Sequence, residues 1–185
     1  MKSSLTHIYY TLFTTSILLS CEKVAPPKHY QQQEQTKYKV NLEELKKITH
    51  QQTIYVPVYS EIFAYNEKRT MPLTATLSIR NTDMQNTMYV TKVEYYDSEG
   101  KLIKKYIDQP TKLTALQTHN YLVDYDEKLG GIGANFIIEW ACAGEITTPI
   151  FECVMISTAN NLGISFVTEG KVIKDSKNQE NAISR

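Results

Sequence analysis

From Leu73 to Arg80 the chain alternates without a break. Leu73, Ala75, Leu77 and Ile79 are apolar, and Thr74, Thr76, Ser78 and Arg80 lie between them. A period of two puts successive side chains on opposite sides of an extended backbone, so this stretch reads as a strand with one face buried. Runs of the same length and texture, rich in tyrosine and β-branched residues, recur from Thr53 onward: "TIYVPVYS", "TMYVTKVEYYD", "KLIKKYI", "THNYLVDY", "GANFIIEWACAG", "PIFECVMIST" and "GISFVTEGKVI". They are separated by turn residues and not by long helical patterns, which predicts about eight strands in an antiparallel arrangement. The fold class expected is all-β: an immunoglobulin-like antiparallel β-sandwich, preceded by a short helix and a flexible tether. Pro57 marks its strand as an edge or a bulge, because proline has no N–H for a ladder. Gly100 in "DSEGK" suits a tight turn needing positive φ.

The N-terminus has a different logic. Lys2 supplies a short positive region, and Ile8 to Leu19 is uncharged and mostly apolar. That run is too short to span a bilayer, which takes about 20 apolar residues, but it suits a secretory leader. Leu18-Leu19-Ser20-Cys21 then has the form of a lipoprotein box, in which the leader is removed before Cys21 and the thiol takes a diacylglycerol. A thiol is alkylated where a hydroxyl would react slowly. Several acyl chains give stable anchoring, at about 0.8 kcal/mol per buried methylene. The expected layout is residues 1–20 as leader, 21–52 as tether with a short helix, 53–174 as sandwich and 175–185 as tail. Glu22, standing where aspartate would favour inner-membrane retention, points to the outer membrane. Localisation is therefore expected at the cell envelope, outside the cytoplasm, with the membrane engaged through the lipid.

Residues 22 to about 40 are polar, with Pro26-Pro27 and a glutamine run, and cannot bury enough surface to offset ordering entropy. In "NLEELKKITHQQ", Asn41 and Glu44 have capping-box spacing, and Leu42, Leu45 and Ile48 fall on one helical face. The 20 basic and 20 acidic residues cancel. With no basic stripe to neutralise phosphates, nucleic acid is not expected as a partner. No second apolar run approaches spanning length.

Several of these runs, taken in order, are familiar. "YVPVYS", "LTATLSIRNTD", "VEYYDSEGKLI", "GGIGANFIIEW" and "CVMISTANNLGISFVTEGKVI" resemble the domain of unknown function 3124 family, uncharacterised bacterial envelope lipoproteins. The resemblance runs from about Ile54 to Ile173. It implies lipidation and a single β-rich domain, transfers no activity, and includes no fixed cysteine pair.

The chemistry-bearing motifs are thin. "LGGIGAN" precedes a strand where a phosphate loop would follow one and open a helix, so it reads as a turn, or as a recognition loop through Gly131 and Asn135. Asp124, Asp126 and Glu127 miss the calcium-loop pattern, with Lys128 and Leu129 at the fifth and sixth positions. Beyond the leader the histidines are His29, His50 and His119, too scattered for a zinc site, and no serine sits in a nucleophile elbow. No metal, cofactor or catalytic residue is assigned, and the chain is not expected to be an enzyme, although two carboxylates at glycosidase separation would escape a reading of this kind.

With Cys21 taken by lipid, Cys142 and Cys153 flank a reversal and are expected to face each other as a disulfide; two buried thiols are the alternative. If they share a face, Phe136, Ile138, Trp140, Phe151 and Met155 form a core face. Ile137, Glu139, Glu152, Val154 and Ile156 then form a mixed opposite face, covered by the short helix or another segment, or open to a partner. Arg80, Asn81 and Asp83 read as turn-forming residues at a strand end, with Arg80 alternatively a counterion for Glu139 or a recognition group. The function expected is binding or scaffolding at the envelope, with a protein or glycan as partner. The rivals are a small-ligand binder using the glycine-rich and acidic loops, and a carboxylate hydrolase.

Overall fold

A computed structural model describes residues 40, 42–158 and 163–176. Cys21, the leader, most of the tether and the far tail lie outside the described residues. The elements are α1 (Leu42–Leu45), β1 (His50–Pro57), β2 (Glu61–Ala64), β3 (Asn66–Pro72), β4 (Thr74–Arg80), β5 (Met88–Tyr96), β6 (Leu102–Lys105), β7 (Thr111–Leu113), β8 (Thr118–Val123), β9 (Asn135–Cys142), β10 (Ile150–Ser157), β11 (Ile164–Glu169) and β12 (Lys171–Asp175).

The strands form two main sheets and a hairpin. One sheet runs β12-β1-β9-β5-β6, with β7 also on the far edge of β5; the other runs β11-β10-β4-β8; β2 and β3 pair with each other. All pairings are antiparallel. The expected antiparallel sandwich is therefore the observed architecture. The chain crosses between the sheets at β3–β4–β5, β7–β8–β9, β9–β10 and β11–β12, so sequence neighbours are often on opposite layers.

The core lies between the layers and follows the period-two reading. Ile54 and Val56 on β1, Ala75, Leu77 and Ile79 on β4, Phe136, Ile138 and Trp140 on β9, and Phe151, Cys153 and Met155 on β10 are all buried. Trp140 and Phe151 face each other across the layers with ring centroids 6.4 Å apart. Burying a side chain the size of Phe136 contributes about 1.5–3 kcal/mol. On β5 the alternation changes phase: Val90 pairs with Trp140 and Lys92 with Glu139, leaving Thr91 as a bulge. The bulge keeps Met88 and Val90, and beyond it Val93 and Tyr95, in the core. Gly170 is the corner between the layers. Its N–H donates to Phe151 O at 2.8 Å, and a Cβ there would come within 2.6 Å of Ile54 Cγ2 and 2.9 Å of Phe151 Cβ.

Four expectations are corrected. The helix stops at Leu45, and β1 has begun by His50, inside the expected tether. Ladder bonds to β9 and β12 on both sides satisfy that backbone better than an isolated helical turn would. Pro57 ends an interior strand, not an edge. It pairs with Asn135 but lies past the last β12 partner, so no ladder bond is lost on that side. Cys142 and Cys153 do not form the expected disulfide. β9 and β10 lie in opposite sheets, Cys142 opposite His50 and Met88, and Cys153 opposite Leu77 and Thr168. The Cys142 thiol instead donates to Gly144 O at 3.2 Å. For the same reason the expected mixed face is split: Ile137 and Glu139 belong to one outer surface, Glu152, Val154 and Ile156 to the other.

Candidate functional site

The two outer faces differ in chemistry. On the larger sheet the outward side chains include two ion pairs. Lys92 Nζ is 2.7 Å from Glu139 Oε1, and Lys105 Nζ is 3.4 Å from Glu94 Oε1. The Tyr96 hydroxyl donates to Glu94 Oε2 at 2.7 Å. That bond, with Lys105 and Lys92, holds the Glu94 carboxyl below its ordinary range, the opposite of what a general acid needs. Where this face nears α1 it is covered: Glu44 accepts from Lys112 Nζ at 3.0 Å and hydrogen-bonds the buried Tyr89 side chain. The exposed large apolar residues of its strands, Leu102, Val172 and Ile173, lie on the edge strands β6 and β12.

The outer face of the smaller sheet is mixed, with the aliphatics Leu122, Ile150, Val154, Ile156 and Val167 set among hydroxyl, amide and charged side chains. Pairing registers set its rows. Val167, Val154, Thr76 and Leu122 lie in line across β11, β10, β4 and β8. Ser165, Ile156 and Thr74 form the next row on one side, Glu169, Glu152, Ser78 and Asn120 the next on the other, and Ile150, Arg80 and Thr118 follow. Val167 is 55% exposed, Leu122 52%, Ile156 46% and Ile150 45%. Exposed aliphatics gathered on one sheet face are a candidate interaction surface. A polar stripe crosses it. Arg80 Nε and Nη2 both reach Glu152 Oε1, at 2.9 and 2.8 Å, and Ser78 Oγ donates to Asn120 Oδ1 at 2.7 Å. A half-exposed pair of this type is worth about 0–1 kcal/mol, so it orders the surface more than it stabilises the fold.

The seven residues singled out from sequence do not converge. Arg80 and Glu152 lie together on the outer face of the smaller sheet, so Arg80 is the counterion of Glu152, not of Glu139, which is on the other sheet and held by Lys92. Asn81 and Asp83 are buried beneath the adjoining loop. The Asn81 carboxamide donates to the carbonyls of Asn86, Thr114 and Leu113 at 2.8, 3.0 and 3.2 Å. Asp83 accepts from the backbone N–H groups of Asn86, Gln85 and Thr147 at 2.7, 2.9 and 2.9 Å. These bonds, Thr147 foremost, drive the Asp83 carboxyl far below the usual carboxylate range.

Gly131 lies at the opposite end of the sandwich. Its carbonyl accepts from Ser60 N and Oγ at 3.2 and 3.0 Å, while the Gly130 carbonyl accepts from Ser98 N and Oγ at 3.1 and 3.0 Å. A Cβ on Gly130 would strike the Tyr95 hydroxyl. The glycine run is thus packed and hydrogen-bonded as a turn. Asn135 begins β9, opposite Pro57 and Tyr96. Leu122, Ile150 and Val167 were not singled out from sequence; a half-apolar strand announces alternation but not which neighbours complete a patch.

Two packed antiparallel layers, one with ion pairs on its outer face and the other with exposed aliphatics on its outer face, define a β-sandwich domain with a sided surface. The chain belongs to the family described as Protein of unknown function (DUF3124), whose model matches residues 51–173. No curated protein matches it. A solved structure, that of Thermotoga maritima 1070, aligns over 65% of this chain and 92% of its own, at 10% identity and a TM-score of 0.41, too loose a likeness to transfer anything.

Proposed function

We propose that this protein is a lipid-anchored module outside the cytoplasm that binds or scaffolds a cell-envelope protein through the outer face of its smaller sheet, without catalysing a reaction. The observation that carries the binding reading is the exposure of Leu122, Ile150, Ile156 and Val167 on one face. Aliphatic side chains around a short polar stripe suit a protein surface better than a glycan, which aromatic platforms and dense hydrogen bonding would serve. The anchoring reading rests on the leader and on the box ending at Cys21; Glu22 favours the outer membrane.

The test is affinity capture from detergent-solubilised envelopes, using the full chain, a Cys21→Ser chain and an Ile156→Lys/Val167→Lys chain. The lysine variant is expected to melt with the parent, stay in the membrane fraction and lose the captured protein. Undiminished recovery by that variant overturns the choice of face. Intact mass of native material carrying no acyl adduct at Cys21 overturns the anchor.

A further inference from the structure

At the end of the sandwich where α1 leads into β1, three side chains outside the interaction face come together. The ladder places His50 opposite Cys142. His50 Nδ1 is 4.0 Å from Cys142 Sγ, and His50 Nε2 is 3.1 Å from Asp175 Oδ1. The second Asp175 oxygen accepts from Gln52 Nε2 at 2.6 Å, which fixes the carboxylate. Trp140 packs edge-on against the imidazole, ring centroids 5.3 Å apart.

Thiol, imidazole and carboxylate in that order have the connectivity of a nucleophilic triad. Burial decides against that use. Cys142 is 0% exposed, so no acyl group of a substrate can reach the sulfur. Burial is no obstacle to a metal ligand. Asp175 on Nε2 keeps that nitrogen protonated and turns the Nδ1 lone pair toward the sulfur, the outer-shell arrangement that orients ligating histidines. The His50 and Asp175 side chains are 12% and 17% exposed, which leaves a way in at the rim. A sulfur and a nitrogen 4.0 Å apart can both reach one ion at about 2.3 Å from sulfur and about 2.0 Å from nitrogen. Zinc takes at least three protein ligands, and among the described residues no group of three or more His, Cys, Asp or Glu is placed to hold a metal. One thiolate and one imidazole select a soft ion content with two donors.

We propose that Cys142 and His50 form a two-donor site for a soft monovalent metal ion, Cu(I) or Ag(I). On binding, the S–H bond breaks, S–metal and N–metal bonds form, one proton leaves to solvent, and the metal keeps its oxidation state. The thiol gives up its hydrogen bond to Gly144 O. Cys153, in the opposite sheet and opposite Leu77 and Thr168, is the internal control.

The experiment titrates the full chain carrying Cys21→Ser with silver ion alone, following bound metal by intact mass and the fluorescence of Trp140, the single tryptophan of the chain. One equivalent is expected to bind, quench Trp140 and release one proton. His50→Gln and Cys142→Ser should each weaken binding by at least about tenfold, and Cys153→Ser should not. Affinity unchanged in His50→Gln reveals a bare thiol and overturns the site, as does quenching that survives Cys142→Ser. Should either variant fail to fold, nitrogen NMR of the parent decides: silver must shift His50 Nδ1, and an unmoved signal overturns the proposal.

Discussion

Asn81 sits where three carbonyls from two stretches of chain, that of Asn86 and those of the adjacent Leu113 and Thr114, meet one carboxamide. Asn81→Ala leaves these acceptors without their donor in a largely dry site, at a cost of about 1–3 kcal/mol, measurable as a lower urea midpoint with an unchanged slope. Asp83, next along the same turn, ties the chain's stability to pH. Its folded carboxyl titrates far below an unfolded aspartate, so the folded state favours the charged form. The stabilisation is complete above about pH 4, where the unfolded carboxyl is also ionised, and is lost as pH falls toward the folded value. Asp83→Asn should lower the urea midpoint at pH 7 and flatten its decline between pH 5 and pH 2; an undiminished acid decline would assign that limb to other groups. That Asn81 and Asp83 build turns was legible from their residue types. Their partners were not, because Thr147 and Leu113 are remote in sequence and arrive only through the fold.

Gly170 is a single residue with the reach of a whole element, since it turns the chain from β11 in one layer to β12 in the other. A methyl there would press on the Cβ of Phe151, which cannot swing away. Gly170→Ala should destabilise by about 1–3 kcal/mol, read by chemical denaturation, whereas the same change at Gly163, where a Cβ meets nothing within 4 Å, should be close to neutral. At this scale the sequence is readable where an element keeps its period. β4 shows its two faces plainly. β5 does not: Met88 and Val90 are in phase with each other but not with Val93 and Tyr95, and only the bulge at Thr91 reconciles them. The run from Leu42 looks helical for lack of any sign that His50 to Pro57 is claimed by two neighbouring strands. Which strands are neighbours is decided by the chain's crossings between layers, and that is why the exposed aliphatics on the outer face of the smaller sheet could not be assembled in advance.

For the molecule as a whole, those crossings decide the redox behaviour. Consecutive strands in a β protein are usually neighbours, and on that rule Cys142 and Cys153 would be cross-strand partners whose bridge contributes somewhat under about 3 kcal/mol. Here β9 and β10 are the inner strands of facing layers, so the chain between the two cysteines spans the core's depth instead of making a hairpin. Cohesion then comes from interleaved side chains such as Trp140 and Phe151, with no covalent staple between these two positions. Adding reductant should leave the melting midpoint where it was, whereas loss of a bridge would lower it by about 5–10 °C. Under native conditions Cys142 and Cys153 should resist alkylation, being buried; in denaturant without reductant both should react at once. A midpoint that drops on reduction, or thiols that stay blocked in denaturant until reductant is added, would show that the layers are stapled after all.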